Sequence, residues 1–158
     1  LEGYLWDEGE PKKAFEKAIS NANKVAMSLS DLFCVERHKP HFYHLVKNKL
    51  NITFANEQEI LSLIDAKKIE DVIEFSKKNK NLTVITRGEK GALAIENNIV
   101  TECKAKKDLK IVDLTGAGDL FAGGFLDGYV KGKSVKESLE KGTEMSSKII
   151  QVIGARIR

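Results

Sequence analysis

Proline and cysteine are scarce, with two of each and a single tryptophan in 158 residues. Two thiols, Cys34 and Cys103, cannot build a disulfide framework, and neither belongs to a Cys-x-x-Cys pair. Few prolines, 42% hydrophobic residues and 31% charged residues exclude a disordered, low-complexity chain. No apolar run approaches the ~20 residues that a membrane-spanning helix needs. Arginine is scarce too. Arg37, Arg87, Arg156 and Arg158 are the only four among 26 cations, leaving 22 lysines dispersed among 23 acids and a net charge of +3. Nucleic-acid footprints cluster their cations and favour arginine, so neither a nucleic acid nor a membrane is expected as partner. The composition suits a reducing cytoplasm, and the length fits one ordinary domain.

Apolar residues recur with two periods. Residues 2–6 read as the end of a strand. Pro11 suits a first helical turn, and Ala14, Phe15, Ala18, Ile19 and Ala22 follow at helical spacing. Residues 24–30 read as a short buried strand, a helix is predicted from about Pro40, and residues 52–55 read as a strand. Helices are predicted around Ile60–Ile64 and Ile69–Ile73. Residues 82–86 make a β-branched strand, and 91–96 with 98–103 a hairpin turning at Asn97-Asn98. Residues 110–113 read as a strand leading into glycines, with helices over 117–131 and 134–152. This alternation predicts an α/β fold: a mostly parallel sheet flanked by helices on both faces.

The chemistry concentrates in Asp113-Leu114-Thr115-Gly116-Ala117-Gly118-Asp119. Small residues between a strand and a helix leave amide hydrogens bare, and a helix start adds partial positive charge. Gly116, Ala117 and Gly118 therefore read as a cradle for a phosphate-sized anion. Asp119 would repel a phosphate that was merely bound. It makes sense if a hydroxyl lies between it and the phosphorus, so that the acid orients the hydroxyl and takes its proton. The bland reading makes Asp119 a helix cap and the glycines a turn.

Together with Gly123-Gly124-Phe125, this string resembles the signature of the PfkB family of carbohydrate and nucleoside kinases, Leu114 being its one departure. The resemblance implies a ribokinase-like fold, with ATP and Mg²⁺ as cofactors. It implies an anion hole at Gly116, Ala117 and Gly118, with Asp119 as catalytic base. Asn56-Glu57-Gln58-Glu59 resembles the family's Asn-x-x-Glu motif, which implies that Asn56 and Glu59 act on Mg²⁺ through water. A plain capping box explains the same residues. Thr86-Arg87-Gly88-Glu89-Lys90-Gly91 resembles the nucleotide-binding Thr-x-Gly element, which implies ATP contacts from Thr86, Arg87, Gly88 and Gly91. The alternative is a tight turn into the hairpin, which Gly91 alone explains. Asp113 and the Thr115 carbonyl match positions that hold a monovalent cation in some members, so K⁺ is left open. Ile153-Gly154-Ala155-Arg156 also has the family's look.

Residues 2–56 look like adenosine kinases and their bacterial sugar-kinase relatives. Leu29-Ser30-Asp31-Leu32-Phe33 is similar to a string whose phenylalanine lies against the acceptor purine, which makes Phe33 a substrate candidate beside the alternative of a core phenylalanine. Asp31 and Leu32 depart from that pattern. The resemblance covers the family's C-terminal half, so residues 1–158 are expected to be the ATP-binding portion of one domain, truncated on its N-terminal side and lacking the lid. Little turnover and some self-association of the chain would follow. The function expected of the whole is transfer of the ATP γ-phosphate to a sugar or nucleoside hydroxyl. The alternative is a non-catalytic nucleotide- or anion-binding module with the same loop. A dinucleotide-binding reading fails because Phe121 stands where the third glycine belongs. A Walker A reading of Gly128–Ser134 fails on spacing, and His38, His41 and His44 lack the company a metal site needs.

Overall fold

The computed structural model describes residues 1–6 and 9–157. It contains α1 (Glu10–Asn21), β1 (Ala26–Ser28), α2 (Leu32–Asn48), β2 (Ile52–Asn56), α3 (Glu57–Leu63), α4 (Ile69–Lys78), β3 (Leu82–Thr86), β4 (Ala92–Glu96), β5 (Ile99–Cys103), α5 (Ala117–Val130) and α6 (Val135–Ile149). The strands form one mixed sheet in chain order. Among the described residues no helix is long and apolar enough to cross a membrane. The chain divides into two compact units: Leu1–Ile85 with Ile95–Val100, and Thr86–Ala94 with Thr101–Arg158.

In the first unit β1 and β2 run parallel, pairing Ala26 with Ile52 and Ser28 with Phe54. A parallel pair needs a crossover, and α2 supplies it. Phe15, Met27, Leu29, Val35, Phe42, Ile60 and Val72 are fully buried there, each side chain contributing about 1.5–3 kcal/mol of transfer free energy. Trp6 closes this core edge-on to Phe15, with ring centroids 5.0 Å apart.

Residues 2–6 are not a strand. Glu2 alone bridges to Ser28, and Gly3–Trp6 turns as a 3-10 helix. Gly3 donates its N–H to Ser30 Oγ at 2.7 Å instead of pairing along β1. The helix predicted from Pro40 begins eight residues earlier, because the Asp31 carboxylate caps it through the Cys34 N–H at 2.6 Å. Pro40 lies inside α2, where its ring and missing N–H disrupt the preceding turn; the backbone kinks at His38 (φ −115°, ψ 17°).

In the second unit α5 and α6 pack closely because glycines line their seam. A Cβ on Gly124 would lie 2.8 Å from the Lys141 carbonyl, and one on Gly142 would lie 2.7 Å from that of Phe121. Phe121, Phe125, Leu139 and Ile149 fill the surrounding core. The capping box of Ser134 and Glu137 starts α6. Asn97 and Asn98 both have positive φ (49° and 68°), the requirement of a two-residue type I′ hairpin between β4 and β5.

Residues 110–113 form no strand. The N–H groups of Val112 and Asp113 both point to the Ile150 carbonyl, at 2.8 and 3.3 Å, so one acceptor beyond α6 takes the place of a strand partner. α6 accordingly stops at Ile149, and Ile153 is exposed rather than helical.

Candidate active site

The glycine turn belongs to the second unit. Gly116 caps α5 in the left-handed conformation (φ 77°, ψ 4°), and a Cβ there would meet the Ala155 methyl at 2.9 Å. Two constraints, backbone sign and close approach, therefore demand glycine at this position. The Ala117 N–H closes the turn onto the Leu114 carbonyl at 3.1 Å. The amides of Gly116 and Gly118 donate to no other described residue, and a Cβ on Gly118 would meet nothing within 4 Å. Asp119 occupies the first turn of α5 and is exposed, and its carboxylate makes no hydrogen bond or ion pair with another described residue. An open turn with bare amides and a solvent-facing carboxylate can accommodate an anion and an alcohol side by side. Among the described residues no side chain fills the space beside Gly118.

Asp113 anchors this turn. Its Oδ1 accepts from the Thr115 N–H at 2.9 Å and the Thr115 hydroxyl at 2.7 Å, while Oδ2 accepts from the Gly154 N–H at 2.9 Å. The Thr115 N–H, then the Gly154 N–H and the Thr115 hydroxyl, hold its carboxyl below the usual carboxylate range. The carboxylate thus ties the glycine turn to the chain beyond α6. Gly154 (φ 84°) and Ala155 are parts of the site whose role the sequence reading had not specified. Their signal was the family look of Ile153-Gly154-Ala155-Arg156, which assigned them no contact.

Thr86–Gly91 makes the tight turn. The Arg87 N–H donates to the Gly91 carbonyl at 2.8 Å, and the Gly91 N–H returns to Gly88 at 3.0 Å. Gly91 has φ 90°, and its Cβ would fall 2.0 Å from the Cys103 carbonyl, so this glycine is required by the hairpin itself. Thr86 and Arg87 are half-buried, and Gly88 is exposed with open space beside it.

Asn56 and Glu59 belong to the first unit and form the capping box of α3. The Glu59 N–H donates to Asn56 Oδ1 at 2.8 Å. In return Glu59 Oε2 accepts from the Asn56 N–H at 2.9 Å, and Oε1 from its side-chain amide at 2.6 Å. Glu59 is buried, and loss of water pushes its carboxyl up, against the Asn56 hydrogen bonds and with help from the Asp31 charge. Each oxygen keeps a second lone pair, which can accept a hydrogen bond from a metal-bound water. Phe33, in the first turn of α2, is 75% exposed, which removes the core alternative for it.

The profile of the pfkB family carbohydrate kinases matches residues 7–158. The chain belongs to this family. It is 37% identical over 112 residues to the cytidine kinase of Thermococcus kodakarensis, a match covering 69% of this chain and 40% of that protein. It is 32% identical over 145 residues to the guanosine-inosine kinase of Exiguobacterium acetylicum, covering 85% and 46%. The solved structure of adenosine kinase from Sinorhizobium meliloti matches it with a TM-score of 0.93 at 35% identity, over 99% of this chain and 49% of that one. This pfkB chain thus spans about half the length of the curated relatives it matches, and its fold is ribokinase-like α/β.

Proposed function

We propose that residues 1–158 are the ATP-binding portion of a ribokinase-like domain whose whole transfers the γ-phosphate of ATP to a hydroxyl of a nucleoside or sugar. The observation carrying this reading is the open glycine turn at the start of α5 beside the unengaged carboxylate of Asp119. The relatives named as cytidine, guanosine-inosine and adenosine kinases favour a nucleoside.

In the proposed reaction Gly116, Ala117 and Gly118 cup the transferring phosphoryl group. The Gly116 and Gly118 amides and the α5 dipole offset its charge, while the Ala117 N–H, engaged by the Leu114 carbonyl, shapes the turn instead of donating to the anion. Asp119 holds the acceptor hydroxyl and receives its proton as the new O–P bond forms and the bond to the ADP oxygen breaks. Transfer through a loose transition state asks chiefly for positioning of the hydroxyl, which a carboxylate in the first turn of α5 supplies. Thr86, Arg87 and Gly88 line the ATP site, the buried Gly91 serving only to shape their turn, and Phe33 lies against the acceptor base. Mg²⁺, held through water by Asn56 and Glu59, would neutralise the ATP phosphates. K⁺ at Asp113 and the Thr115 carbonyl belongs to the same proposal, and exchange of K⁺ for Na⁺ without effect would remove it. The cytoplasm is the proposed compartment. Exposed Ile111, Val112, Leu114 and Ile153 favour self-association of the isolated chain, readable by light scattering.

Titration calorimetry with ATP and Mg²⁺ tests the nucleotide site in the 158-residue chain. Turnover is then assayed in this chain alone and fused behind the preceding half of the S. meliloti adenosine kinase. The expectation is ATP binding by both, with substantial turnover only in the fusion. Asp119→Asn should lower that turnover about 10²–10⁴-fold with ATP affinity retained. Turnover unchanged by Asp119→Asn would remove the base, and ATP binding by an inert fusion would favour the non-catalytic module.

A further inference from the structure

At the carboxyl end of β1 lies a second fixed carboxylate, Asp31, to which the proposed reaction gives no part. The Gly3–Trp6 turn is docked against it by main-chain fit. The Gly3 N–H meets Ser30 Oγ at 2.7 Å, and a Cβ on Gly3 would stand 2.7 Å from the Leu29 carbonyl. Docked in this way, Tyr4 donates its phenol to Asp31 Oδ2, while Asp31 Oδ1 caps α2. Two residues further on, Phe33 leaves its ring in solvent, and Tyr4 itself is 49% exposed. Apolar rings of this size ordinarily gain by burial. Here two of them stay wet, one bonded to a carboxylate whose orientation is fixed and one two residues from it. The carboxylate retains lone pairs for a further donor.

We propose that Tyr4 and Asp31 are specificity-determining residues for the acceptor, with Asp31 receiving an N–H from the edge of a nucleobase that stacks on Phe33. This inference rests on the nucleoside reading above and narrows it to bases that carry an edge donor. Tyr4 is the positioning residue. Its phenol, pushed up to about 12 first by the hydrogen bond to Asp31, donates to Oδ2, and that bond holds the carboxylate in one orientation. A ring face plus a lone acceptor matches an amino-bearing heterocycle.

The test is calorimetry of the 158-residue chain with adenosine, purine riboside (the same bicycle without the exocyclic amine), ribose and ATP. Adenosine should bind about tenfold or more tightly than purine riboside, the discrimination expected of a hydrogen bond to a charged group. Asp31→Asn keeps an oxygen for the Cys34 N–H, since asparagine caps helices as well as aspartate does. It should therefore retain the melting temperature while bringing the adenosine-to-purine-riboside ratio near one. Tyr4→Phe should lower the ratio part-way. A ratio near one in the wild type, or one unmoved by Asp31→Asn, overturns the proposal. So does an equal weakening of ribose and adenosine, which would make Asp31 a sugar contact. ATP binding with no nucleoside binding overturns this inference alone, whereas failure of both ligands also removes the ATP-site reading.

Discussion

Adjacent glycines in α5 should respond to the same substitution with opposite signs. In Gly123→Ala the new methyl meets nothing within 4 Å, and the residue is exposed on a helix. Only the backbone effect remains, a gain of about 0.8–1 kcal/mol from restricting the unfolded chain and improving helix propensity. Gly124→Ala gains the same amount. Its methyl, however, would stand 2.8 Å from the Lys141 carbonyl, 2.9 Å from Met145 Cγ and 3.0 Å from Gly142 Cα. Met145 can rotate away, but the two main-chain atoms retreat only if α6 moves off α5. Overpacking of that kind costs about 1–3 kcal/mol, and two main-chain clashes put it in the upper part of that range. The net change is a loss of about 1–2 kcal/mol. For a chain of this size, a kilocalorie moves the melting temperature by about 2–4 °C. Thermal unfolding followed by circular dichroism should therefore show Gly123→Ala about 2–4 °C above wild type and Gly124→Ala about 2–8 °C below it. Equal shifts of the two variants, or a Gly124→Ala protein more stable than Gly123→Ala, would refute the close seam between α5 and α6.

Gly91→Ala should lose roughly 2–6 kcal/mol, combining a positive-φ alanine with a clash against the Cys103 carbonyl; a urea-unfolding loss below about 1 kcal/mol would contradict the turn geometry. Carbon-detected NMR titration should place Glu59 above the ordinary glutamate range, and Asp31→Asn should move it down, because burial comes first and the Asp31 charge also contributes. Such a raised carboxyl makes its stabilising contribution at low pH, and that contribution is lost as pH rises through the folded-state value. Asp113 has the opposite sign: its contribution is present above the unfolded carboxylate range and disappears as pH falls through its lowered folded value. Asp113→Asn should flatten that acid limb of the stability curve, and an unchanged limb would dissociate Asp113 from the Thr115 and Gly154 amides.

Local chemistry carried much of this protein in one dimension. The β-branched run 82–86, the asparagine pair at 97–98 and the helical spacing after Pro11 each satisfy their own geometry within a few residues, and they fold as read. The glycine turn at 116–118 was legible for the same reason, since its bare amides and its helix start are neighbours in sequence. Where the reading departed from the structure, the deciding partner lay far along the chain. Residues 110–113 have strand composition, yet their N–H groups go to the Ile150 carbonyl. Residues 2–6 turn away because Ser30, 27 positions later, takes the Gly3 N–H. Asp31 hid the true start of α2, since Pro40 is the louder local signal while a cap acts through one bond. The family resemblance named Asp113 as a candidate site residue, but only folding brought it the Gly154 amide that fixes the turn. Hydrogen bonds between neighbours follow from residue identity, whereas bonds between distant segments depend on which backbone groups the packed core leaves within reach.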